Sequence, residues 1–362
     1  MKNNIYQTLV LICSIIFLSA CQKEEVNPTS TYEIPSNYTF ENVNYTGQSQ
    51  RLKMLDELIL EIRKGNNDGV IINANRLKEM YSNINNPFSD SMLNTSGKQI
   101  KDKTFLSERS LFEQYFDSLQ FVSSSTTTGS NGTAGRIVSI DGLSKYLFNE
   151  RGVEYKEIIE KGLYGAFLYY QITSVYLSTE KMNVDNETIV AGQGTAMQHH
   201  WDEAFGYMSV PTDFPTNTTG IKFLSRYVNS RNAILDCNKK LMDAFIKGRA
   251  AINNKDYSTR DIQIQIICSE LEKVFAATAI NYLNQAKTNF ADDAKRNHTL
   301  SECRGFIYAL KFNAKRKITD DEISELSTLI GNNNYEISLT QIETLKSRIA
   351  QIYSLESIKD IL

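Results

Sequence analysis

Proline is scarce in this chain, with five in 362 residues, and glycine is only somewhat commoner at 18, so few positions turn the backbone sharply. That shortage makes a mostly helical protein the expected class, its long periodic segments dominated by Leu, Ile, Ala, Lys and Glu. Neither charge sign dominates. The formal net charge is -3 with mixed-sign surface segments, so the chain has no basic face of the kind a phosphate backbone needs, and nucleic acid is not an expected partner. Zinc-type CxxC spacing is absent too. Setting aside Cys13 and Cys21, the cysteines are Cys237, Cys268 and Cys303, an odd set spaced 31 and 35 apart in apolar helical contexts. Three buried thiols are expected, with one bridge plus one free thiol as the alternative.

Long apolar runs are few. The run at 9–18 follows Lys2 and small residues close it, which is the layout of a secretory signal rather than of a spanning helix. It ends in Leu18-Ser19-Ala20-Cys21, which resembles a bacterial lipobox, where the signal is cut before the cysteine and the thiol takes lipid. Residues 1–20 are therefore expected to be a signal peptide, and 21–37, with Pro28, Pro35 and many Asn, Thr and Ser residues, a lipidated tether. No aspartate follows Cys21, and Gln22-Lys23-Glu24-Glu25 resembles the acidic tract by which some Gram-negative bacteria move lipoproteins outward. The expected place is the outer membrane, anchored through lipidated Cys21 and facing outward. A second run, at 153–177, approaches spanning length, but Gln171, four tyrosines and Lys161 at its head favour a buried core helix.

Helical periodicity covers most of the remainder. An extended arm is expected at 38–48, where aromatic and polar residues alternate. Apolar stripes follow at 52–62, 70–80 and from Ser107 onward. The stretch 123–135 is almost wholly Ser, Thr, Gly and Asn; it reads as a mobile loop dividing an N-terminal helical part, 38–135, from a C-terminal one, 136–362. Further helices are expected at 195–207, 221–251, 258–289 and 298–315, and after Thr319 and Thr340. The expected fold is all-α, two packed helical bundles with a short N-terminal arm.

Only three histidines occur, and each has a carboxylate one helical turn away. His199 and His200 precede Asp202 and Glu203 around the lone tryptophan, Trp201, behind a capping box of Thr195 and Gln198. On a helical wheel Glu203 falls between the two imidazoles, opposite the stripe of Met197, Trp201, Ala204, Phe205 and Met208. An ordinary wet face with loose ion pairs fits that arrangement as well as a cleft does. His298 precedes Glu302, whose arc also holds Gly305, Phe306 and Ala309, so this carboxylate must be paired or bind a metal; Arg304, Lys161 or a histidine of the first motif are candidate partners. Imidazole and carboxylate on facing helices make a divalent metal, iron or zinc, the candidate cofactor, with His199, His200, Asp202, Glu203, His298 and Glu302 as candidate ligands. The His-Glu-x-x-His pair of common zinc proteases is missing.

The lipobox, the helical body, His200-Trp201-Asp202-Glu203 and the late helix opening His298-Thr299-Leu300-Ser301-Glu302 resemble the imelysin-like lipoproteins. Gln198-His199-His200-Trp201-Asp202-Glu203-Ala204-Phe205-Gly206-Tyr207, with Lys161-Gly162-Leu163, is similar to an uncharacterised lipoprotein family of unknown function near that group. The resemblance implies two helical bundles, a Gly-x-His-x-x-Glu motif and ties to iron or haem uptake or to metallopeptidase activity. Gln198 stands where the motif has glycine, a departure that weakens the peptidase expectation most. Three functions follow: capture of iron or an iron-bearing ligand beside an outer-membrane transporter; a metallopeptidase with Glu203 as general base; and a helical glycan- or protein-binding lipoprotein. Capture is the leading expectation.

Overall fold

The computed structural model describes residues 31–362, of which Ile34–Leu362 form one compact unit. The expected signal peptide, the Cys21 anchor and most of the tether lie outside the described residues. The described fold is all-α, as composition predicts, with one small hairpin.

The chain enters as an irregular arm in which Tyr38 is buried and bonds backbone to backbone with Thr212. The helix α1 (Thr46–Arg63) begins inside the stretch expected to be extended. Next come α2 (Ala74–Ser82), the single turn α3 (Ser91–Asn94) and α4 (Arg109–Ser123). The Ser/Thr-rich segment after α4 is built onto the body rather than left free. It leads into β1 (Gly135–Val138), antiparallel to β2 (Lys145–Phe148), and the Arg136 guanidinium bonds the carbonyls of Gly65, Val70, Ser123 and Ser125. A composition-based reading missed this because one arginine satisfies the loop's backbone acceptors.

The helix α5 (Tyr155–Leu163) runs on through π-helical turns to Tyr176 and is buried on nearly every side, as its apolar circumference predicts. Among the described residues no helix is long and apolar enough to cross a membrane. After the short α6 (Thr179–Met182) comes α7 (Ala196–Met208), started by the Thr195–Gln198 capping box. The helix expected at 221–251 is two, α8 (Leu224–Leu235) and α9 (Cys237–Asn253), broken at Asp236, whose φ of 52° is left-handed. The 32-residue α10 (Tyr257–Thr288) is the axis against which α8, α9, α11 (Asp293–Ala309) and α13 (Leu339–Tyr353) pack, while α12 (Asp320–Ile330) lies on α11 and α13.

Two glycines set the approach of α5 to α11. A Cβ on Gly305 would lie 2.4 Å from Lys161 Cβ, and one on Gly165 would lie 2.5 Å from Ala309 Cβ. That closeness seals the charged head of α5 against α11.

Candidate functional site: a buried ion cluster at the head of α5

Glu154, Glu157 and Glu160 recur at three-residue spacing from the cap of α5 into its first turns, so they fall on neighbouring arcs of one helix; all three are buried. His298 on α11 faces them. Its Nδ1 lies 2.6 Å from Glu154 Oε2 and 3.7 Å from Glu157 Oε1, and its Nε2 lies 3.4 Å from Glu302 Oε2. Tyr146 of β2 stacks on the imidazole, with centroids 4.1 Å apart and planes 10° from parallel, so the hairpin covers this end of the α5–α11 seam.

Lysines complete the cluster. The Lys156 ammonium contacts Glu157 closely and Glu154 at 3.5 Å; Lys161, itself 2% exposed, reaches Glu157 at 2.8 Å, Glu160 at 3.0 Å and Glu302 at 3.3 Å. Arg63 of α1 holds Glu160 at 3.1 Å, and the Tyr164 hydroxyl donates to the same carboxylate. Four carboxylates thus meet three permanent cations, and a proton on His298 closes the balance. Burial alone would lower the pKa of His298, but Glu154 and then Glu157 and Glu302 outweigh it and raise it. Burial, reinforced by the nearby charge of Glu157, raises that of Glu302; burial is outweighed at Glu157, where Lys156 and Lys161 hold the carboxyl well below its ordinary range.

Glu154, Glu157 and His298 can each present one ligand atom with all of these within 4.8 Å of one another, and they form the one such metal-capable group among the described residues. Nitrogen and two carboxylate oxygens suit iron or zinc. The arrangement therefore fits a divalent cation, with the Lys156 ammonium now holding the position next to both carboxylates.

The other expected ligands go elsewhere. Glu203 accepts from His200 Nδ1 at 3.0 Å and from Gln48 Nε2 of α1 at 2.8 Å, with His199 Nε2 at 3.9 Å. Burial pushes the Glu203 pKa up, but the His200 and Gln48 hydrogen bonds bring it below the ordinary value. This face of α7 is half-buried against α1 and Tyr176, neither the wet surface nor the deep cleft that the wheel allowed. Asp202 is fully buried and used structurally: it accepts from Arg249 Nε at 2.9 Å and the Tyr38 hydroxyl at 2.6 Å, which pins the arm to α7 and α9.

The six expected ligands do not form one site. His298 meets the head of α5 at Glu154, whereas His200 meets Tyr176 at the far end of the same helix. Over that length the two histidine groups stand roughly 30 Å apart at 1.5 Å per residue. The wheel gave each helix's arcs correctly but carried no information on which helices face each other. Of the partners considered for Glu302, Lys161 is the one present; Arg304 turns away to Asn334 and the carbonyls of Ile330 and Gly331. Sequence reasoning passed over Glu154 and Glu157. The available signal was a run of carboxylates heading a helix that is otherwise apolar all round, where each acid must find a partner.

These features define an all-α protein whose most concentrated chemistry is a largely buried His/Glu/Lys cluster. The family described as domain of unknown function (DUF4856) matches residues 30–356, and the chain belongs to that family. No curated protein and no solved structure matches it.

Proposed function

We propose that this protein is an outer-membrane lipoprotein, anchored by lipid on Cys21 and facing outward, that captures a divalent metal, iron foremost, and delivers it to an outer-membrane transporter. The observation that supports the reading is the convergence of His298, Glu154 and Glu157. On this reading the ion takes the place of the Lys156 ammonium and of the His298 proton, and Glu302 steadies the imidazole through Nε2. Metal uptake then releases protons, since neutral imidazole is the ligand. Kinship with the imelysin-like lipoproteins would rest on the helical body and His200-x-x-Glu203. The peptidase reading is disfavoured because Glu203, its general base, has both oxygens engaged and a lowered pKa.

Elemental analysis after chelator-free purification and calorimetric titration with Fe²⁺ and Zn²⁺ test the metal reading. One ion per chain is expected, with affinity falling at least tenfold in His298→Ala and little changed in His200→Ala. A metal-free protein whose thermal stability ignores both ions would refute capture. Mass spectrometry of the N-terminal peptide tests lipid on Cys21, and Cys21→Ser should release the protein from membranes.

A further inference from the structure

We infer that the cleft between α4, α5, α11 and α12 binds a small apolar monocarboxylate, its carboxylate on the Arg304 guanidinium and its hydrocarbon body along an isoleucine wall. The cavity measures about 290 Å³, the small end of ligand-sized pockets. Ile158, Ile307, Ile323 and Ile330 supply its apolar lining, and Tyr115 and Tyr308 its aromatic faces. Arg304, Lys311 and Ser327 bring polar atoms to it, and no acidic residue lines it.

Arg304 is the cation without a carboxylate that this cleft exposes. Among the described residues the deeply buried cations hold carboxylates: Arg249 has Asp202, Lys161 has Glu157 and Lys346 has Asp360. Arg304, partly buried, has, like Arg136, only neutral partners, the Asn334 amide oxygen at 2.9 and 2.7 Å and the carbonyls of Gly331 at 2.6 Å and Ile330 at 3.2 Å, but Asp68 lines the cavity beside Arg136 whereas no acid lines this one. Those contacts use four of the five N–H bonds of a guanidinium and leave one on Nη1. Burial lowers its pKa to about 10, the mark of a cation short of a counter-ion. Lys311 is already neutralised, with Glu108 at 3.0 Å, and the same carboxylate takes the Tyr308 hydroxyl at 2.6 Å. One positive charge therefore remains for the ligand, which matches a monoanion. Tyr115 adds a hydroxyl that makes no hydrogen bond among the described residues. Arginine with one free donor in a largely apolar cleft favours a carboxylate with an apolar body over a strongly hydrated anion such as inorganic phosphate.

This inference does not depend on the metal reading, and the test is run with chelator present. The chain from residue 22 is titrated calorimetrically with octanoate, 3-phenylpropionate and 3-phenylpropionamide. At least one acid should bind, and 3-phenylpropionate should bind at least tenfold more tightly than its amide. Arg304→Gln should abolish the preference. Because Arg304 also ties down the end of α12, the second variant is Ser327→Trp, at an exposed position where the indole fills the cleft mouth and should block binding with the fold intact by circular dichroism. No binding of either acid at millimolar concentration, equal binding of acid and amide, or binding unchanged in Ser327→Trp would overturn the proposal.

Discussion

At the residue scale, His298 and Lys161 govern the cluster in different ways. His298 has a folded pKa above its usual value of 6.5, so the stability it contributes is fully present below that value and is lost as pH rises through the raised one. Glu302 acts with the same sign. Its folded pKa lies above 4.5, so the native state holds a proton that the unfolded chain has released, and stability falls as pH rises across that interval. Urea unfolding with chelator present should therefore show stability declining as pH rises above 6.5, with a flatter profile in His298→Gln; an unchanged profile would show that His298 does not carry the linkage. Lys161 is a shared cation for Glu157, Glu160 and Glu302, and it is sealed from water. Lys161→Met removes that cation and should cost about 3–5 kcal/mol, as breaking a buried pair does, read as a lower urea midpoint. A loss below about 1 kcal/mol would mean that the carboxylates take up protons or water instead.

At the element scale, the α5–α11 seam is the feature that makes the site. Carboxylates three apart would be ordinary on an exposed helix. Here Gly165 and Gly305 let the two backbones approach until Lys161 is enclosed, and the β1–β2 hairpin places Tyr146 over His298. Gly305→Ala puts a methyl group 2.4 Å from Lys161 Cβ. Since helix propensity alone would favour alanine by about 1 kcal/mol, a net loss of about 1–3 kcal/mol in thermal or urea unfolding would isolate the packing cost; a gain would show that the seam can open without penalty. The π-helical turns before Tyr176 belong to the same element and carry it between the two histidine groups, which is why those groups share a helix without sharing a site.

At the scale of the whole molecule, Ile34–Leu362 is one unit organised on α10, and the parts divided at residue 135 pack within it. Its thiols report on that unity. Cys237, Cys268 and Cys303 are free and buried, and burial raises their pKa values to about 11, 12 and 12. A chain beginning at residue 22 should therefore react negligibly with a thiol reagent at pH 8 when native and release three equivalents in denaturant. Rapid labelling of any one in the native state would mark local opening around α9, α10 or α11.

The sequence alone determined the helical class, the Thr195 capping box, the helix after Thr319 and the buried circumference of α5, because propensity, capping and amphipathic period act over a few residues. It also required a partner for Glu302, since a lone buried charge is too costly to leave. Only the tertiary structure chose that partner as Lys161, brought His298 to Glu154 and Glu157 across 144 and 141 positions, and sent Asp202 to Arg249 instead of to the imidazoles. Helical period fixes the direction of a side chain about its own axis, whereas the surface it meets depends on how distant helices pack, and no local pattern encodes that choice.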